Sequence, residues 1–80
     1  MDMPATRDLE EVMKFDPEEG ITNLDEHLSR LKRKADELSY QFDRHAARNE
    51  LQAATFGKRT AATARLLIAP SGAIVIQISD

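Results

Sequence analysis

Gly57-Lys58-Arg59-Thr60 combines a glycine, two cations and a hydroxyl, the residue types that hold a phosphate where a glycine-rich loop joins a strand to a helix. The earlier glycine of such a loop is missing here, and the residues before Gly57 follow a helical pattern. The backbone amides therefore cannot form a phosphate cradle, and the tetrapeptide reads as a helix end whose cations suit the helix dipole. His27 and His45 are the only histidines, and there is no cysteine. Along a single helix they would lie about 27 Å apart, too far to share a metal without an antiparallel partner. Ser29, Ser39, Ser71 and Ser79 sit in no nucleophile elbow, and the acid pairs Glu10-Glu11 and Glu18-Glu19 read as exposed helix starts. No catalytic residue, cofactor site or metal site is assigned on these grounds, and the chain is expected not to be an enzyme.

The basic residues are the candidate contact positions. Arg44, Arg48, Lys58, Arg59 and Arg65 form a cluster opposed by Glu50, a set suited to nucleic acid or to an acidic protein surface. A second group, Arg30, Lys32, Arg33 and Lys34, is followed closely by Asp36, Glu37 and Asp43. Charge is divided unevenly along the chain. Residues 1–26 hold nine acids against Arg7 and Lys14, net −7, and residues 27–80 hold nine bases against five acids, net +4. The acidic half disfavours a nucleic-acid duplex unless it is held away from it.

The elements that would position these groups come from periodicity. Ile21, Leu24, Leu28, Leu31, Ala35, Leu38 and Phe42 recur at steps of three and four, an a/d stripe suited to a coiled-coil seam. Neither glycine nor proline interrupts residues 21–56, so the spacing predicts a long helix over 21–57, with start signals spread between Asp16 and Asn23. A break near Arg48-Asn49 would turn it into a helical hairpin. Before it, residues 1–20 read as an acidic segment with a short helix from Thr6 to Lys14. Asp16-Pro17-Glu18-Glu19 gives a further helix-start signature. After it, residues 61–80 read as a β-hairpin turning at Ala69-Pro70-Ser71-Gly72 and pairing Ile68 with Ile74, Leu66 with Ile76 and Ala64 with Ile78.

One domain of 80 residues is short for covering both a helical seam and a hairpin face. Without disulfides, stability must come from packing and association. The resulting expectation is a mainly helical α+β protein that self-associates, most simply as a dimer, through the Ile21–Phe42 seam. Its function is expected to be binding and regulating or inhibiting a protein partner, in the manner of a phage or mobile-element accessory protein. The alternatives are a nucleic-acid-binding regulator and a structural oligomerisation unit. No apolar run is longer than the four residues of Leu66 to Ala69, far below the roughly 20 residues of a membrane span, and no secretory signal is visible, so the expected location is the cytoplasm.

Overall fold

A computed structural model describes residues 7–80 as a four-stranded antiparallel sheet with two helices over one face. The elements in chain order are β1 (Leu9–Asp16), β2 (Gly20–Ile21), α1 (Leu24–Leu38), α2 (Arg44–Thr55), β3 (Ala62–Ile68) and β4 (Ile74–Ser79). The strand order is β2-β1-β3-β4. Helix α1 lies over β1 and α2 over β4. The core between sheet and helices is built from Met13, Leu28, Leu31, Ala47, Leu51, Ala64, Leu66 and Ile68.

The expected helices are corrected by this arrangement. The segment read as a short helix is strand β1 from Leu9 onward, and Thr6 lies outside the described residues. Leu9, Met13 and Phe15 turn inward while Glu10, Val12 and Lys14 turn outward, which is the period of a strand. Glu11 takes an inward position, so the apolar alternation is broken and Leu9, Val12 and Met13 imitate a helical face. The Asp16-Pro17-Glu18-Glu19 sequence makes a tight turn. Asp16 Oδ2 accepts from the N–H groups of Glu18 at 2.9 Å and Glu19 at 2.8 Å, and Gly20, at φ +88°, leads the chain back as β2.

The long helix is two helices, and the break comes earlier than Asn49. Ser39 adopts φ 60°, a left-handed end, and the Tyr40 N–H donates to the Ala35 carbonyl at 2.8 Å. Asp43 then caps α2, its side chain accepting from the Ala46 N–H at 3.0 Å. Neither signal needs a glycine or a proline, which is why a scan for those breakers passes over it.

The heptad stripe is filled by the chain's own sheet. Leu28, Leu31 and Ala35 are fully buried, and Ile21, Leu24 and Phe42 pack against the core, whereas Leu38 stays exposed. The fold is therefore not a mainly helical one built on a long seam helix. A strand that periodicity did not reveal, β1, supplies the surface that the seam was expected to find on a partner.

The C-terminal strands pair Ile68 with Ile74, Leu66 with Ile76 and Ala64 with Ile78, and β3 also pairs with β1 along its full length. Within the turn, the Gly72 N–H donates to the Ala69 carbonyl at 2.8 Å. The turn also anchors the break between the helices, because the Gln41 N–H donates to the Pro70 carbonyl at 3.1 Å. Gly72 has φ +94°, and a Cβ added there would lie 3.1 Å from the Gln41 carbonyl oxygen. Gly72→Val thus meets both a backbone penalty and a clash, and should destabilise by about 2 kcal/mol or more. Ser71→Asp, on an exposed neighbouring position, should stay within about 0.5 kcal/mol of the wild type in the same urea titration.

Candidate functional site

Two polar side chains are buried among the described residues, Glu11 and Thr55. The Thr55 hydroxyl is used locally, donating to the Leu51 carbonyl at 2.9 Å. Glu11 is different, because its partners come from another element. Strand β1 turns the carboxylate toward the helix layer, where α1 presents His27, Arg30 and Lys34 at steps of three and four. His27 Nδ1 lies 2.6 Å from Glu11 Oε1, Arg30 Nε donates to Oε2 at 3.0 Å, and Arg30 Nη2 donates to Oε1 at 3.3 Å. Lys34 Nζ stands 3.8 Å from Oε2.

The short strand β2 explains why this place is open. It pairs only with Phe15 and Asp16, so on the side of β1 away from β3 no strand lies beside Glu11 among the described residues. The cluster sits at that uncovered border, with its acid inside and its bases toward solvent.

Burial pushes the Glu11 carboxyl up, but hydrogen bonds and charge from Arg30 and His27 outweigh it and hold the group below the ordinary glutamate range. Glu11 in turn raises Arg30 through its hydrogen bond and its charge. With Glu11 ionised and acceptor-only, the 2.6 Å contact assigns the Nδ1 proton to His27, which donates it. Arg30 Nη2, which lies 3.3 Å from the same Nδ1, then has its acceptor in Glu11. This use of Nε and Nη2 leaves Arg30 Nη1 without a protein acceptor among the described residues. Arg30 and Lys34 remain 45% and 47% exposed, so two cations surround one buried anion with donors to spare. Chemically the arrangement holds a guanidinium with one edge free for an acceptor, and Glu26 is also close enough for its charge to act on Arg30.

The basic positions selected from sequence are not brought together. Arg44 Nη1 donates to Ser29 Oγ at 3.0 Å, and Arg48 pairs with Asp25, both on the flank of α2 that faces α1. Lys58 pairs with Asp80 at 2.7 Å, and Arg59 is exposed after the helix. Arg65 lies on the opposite, helix-free face of the sheet, paired with Glu10 and donating to Gln77 Oε1 at 3.0 Å. His27 and His45 lie on different helices, and no group of three possible metal ligands occurs among the described residues. Nor is any described helix long and apolar enough to cross a membrane. Sequence reasoning named His27 and the Arg30 group but did not join them to Glu11, which it placed on an exposed helix start.

The comparisons with known proteins bear on the same segment. No family model matches, and no curated protein matches. A crystal structure from Mesorhizobium loti, described as a "Putative amino-acid aminotransferase", superposes with a TM-score of 0.83 and 32% sequence identity over 90% of this chain. The match covers 35% of that protein, so this chain spans about a third of its length. The expectation of a chain unconnected with enzymes is thereby corrected, since its fold is that of one part of a protein named as an enzyme. Nothing in the likeness bears on inhibition of a partner or on self-association.

The Glu11 cluster has a measurable pH signature. A carboxyl whose folded pKa is depressed binds fewer protons folded than unfolded. Its stabilisation is present above about pH 4.3 and is lost as pH falls through the lower folded value. Glu11→Gln should remove that part of the acid limb, leaving a flatter loss of stability below about pH 4.5, and should cost about 1–3 kcal/mol at neutral pH. Chemical denaturation of both proteins between about pH 3 and 7 checks this, and parallel curves would exclude a depressed Glu11.

Proposed function

We propose that this chain is one module of an enzyme that transfers amino groups between amino acids and 2-oxo acids, and that the Glu11 cluster is its contribution to binding an anionic group. The observation that carries the reading is the match to the aminotransferase-named protein, close in fold and 32% identical, across nearly the whole chain. The cluster gives the match a chemical meaning. Amino acids and 2-oxo acids both carry a carboxylate, and a guanidinium edge is a geometric fit for one. Glu11 holds Arg30 by Nε and one hydrogen of Nη2, so Nη1 and the second Nη2 hydrogen form a fixed outward edge.

Transfer of an amino group is ordinarily supported by pyridoxal phosphate, whose aldehyde is held on a lysine and which supplies the electron sink. The lysines described here do not fit that aldehyde. Lys14 is exposed on the sheet, Lys32 pairs with Asp36 at 3.0 Å, Lys58 pairs with Asp80, and Lys34 stands at the rim of the cluster. None is enclosed in an apolar cavity that would lower its pKa. This module's own work is therefore to bind and orient, through Arg30 with Lys34 beside it, and no covalent step is assigned to it.

The test is a titration of the 80-residue chain with alanine, pyruvate and inorganic phosphate, followed by NMR at the backbone amides of residues 27–34. Saturable shifts with Kd on the order of 1–10 mM are expected, with none from chloride at equal ionic strength. Arg30→Gln should abolish saturation for all three probes, whereas Arg59→Gln, away from the cluster, should leave it intact. Identical behaviour of chloride and the carboxylates would sink the anion-contact reading.

A further inference from the structure

The outer border of β4 is built to continue the sheet. In the hairpin the Ala69 N–H donates to the Ala73 carbonyl, which makes Leu67–Val75, Arg65–Gln77 and Thr63–Ser79 the hydrogen-bonded pairs. The N–H and C=O groups of Ile74, Ile76 and Ile78 consequently point away from β3. No strand meets them among the described residues, because β4 ends the sheet. Strand edges are ordinarily protected by charge, proline or a bulge, yet Ile74 to Ser79 contains neither a charged residue nor a proline, and its pairing with β3 is unbroken.

Burial is also incomplete along this border. Ala64, Leu66 and Ile68 of β3 are fully buried, whereas their partners Ile78, Ile76 and Ile74 are only partly covered. Above them, α2 uses Arg44 and Arg48 on the flank facing α1. Helical spacing places Ala46, Glu50 and Ala54 on the opposite flank, outward over the border. The two alanines leave room for side chains arriving beneath the helix, and exposed Glu50 is long enough to keep its carboxylate in water.

The position of α2 disfavours antiparallel pairing of two copies through this edge. Pairing two copies edge to edge with their helices on one face would bring β4 of each to about 4.8 Å from the other. Their α2 helices, each over its own β4, would need about 8–10 Å. A bare strand has no such conflict. We propose that the outer edge of β4 binds an extended, uncharged peptide segment whose alternate apolar side chains continue the Ile74, Ile76, Ile78 row beneath the Ala46–Ala54 flank. Main-chain hydrogen bonds would hold it, and the flank would select for apolar residues at every second position.

This inference does not rest on the amino-transfer reading. Its test uses the 80-residue chain and a peptide of alternating valine and threonine with a lysine at each end. Amide hydrogen exchange should slow about tenfold or more at Ile74, Ile76 and Ile78 on adding peptide, with little change at Val75 and Gln77, which already bond β3. Ala54→Arg, at an exposed position, should keep the fold and weaken peptide binding about tenfold by filling the space below α2. Unchanged exchange at saturating peptide would overturn the proposal. So would slowing that follows the protein's own concentration and accompanies a sedimenting dimer, since a second copy would then be the occupant.

Discussion

A carboxylate turned toward an apolar core is the constraint around which the rest of this molecule is arranged. Glu11 faces the helix layer from the same side of β1 as Met13 and Phe15, and it must remain ionised there or give up its hydrogen bonds. That requirement fixes which flank of α1 lies over the border of β1, because only His27, Arg30 and Lys34 meet the charge. It also suits β2 to be short. A full-length strand beside β1 would enclose the cluster and separate its cations from water, raising the desolvation cost that the exposed cations now avoid.

The helical period of α1 was legible in the sequence, and so was the hairpin. Leu28, Leu31 and Ala35 do form one buried stripe with Leu24 partly buried ahead of it, and Ile68, Leu66 and Ala64 do face Ile74, Ile76 and Ile78. The surface that receives the stripe was not legible. A seam with a/d spacing is the narrowest case of an amphipathic helix, and over little more than three heptads it resembles a helix that packs on a sheet. The deciding information lay in β1, whose alternation is interrupted by the one inward acid. Asp16-Pro17-Glu18-Glu19 misled for a related reason, since a side chain that accepts from N–H groups two and three residues ahead serves a turn as well as a helix start.

The candidate site was unreadable for a geometric reason. Glu11 and His27 are 16 residues apart and meet only because a turn, a two-residue strand and the first turn of α1 reverse the chain between them. Local motif spacing cannot register such a pair. The one sequence signal that could have found it is an acid occupying an inward strand position, visible only after β1 is recognised as a strand. The basic positions failed in the opposite way. Arg44, Arg48, Lys58 and Arg65 are close in sequence, but ion pairs with Asp25, Asp80 and Glu10 hold them on different sides of the fold.

Magnitudes separate what holds α1 from what α1 holds. Each fully buried leucine, Leu28 and Leu31, contributes about 1.5–3 kcal/mol, and Ala35 adds less. Ion pairs with a partner nearly half exposed contribute about 0–1 kcal/mol each. Packing therefore supplies most of the energy that docks the helix, while the Glu11 cluster selects which of its flanks meets the border of β1. An apolar residue in place of Glu11, with His27, Arg30 and Lys34 turned to water, would give β1 an uninterrupted inward row at no evident loss of stability. The acid's contribution is geometric. It fixes a guanidinium that would otherwise sample many rotamers, and a fixed cation binds an anion with less entropy to lose. A buried charge set where the sheet leaves it open, aiming a cation outward, suits the anion contact proposed for it.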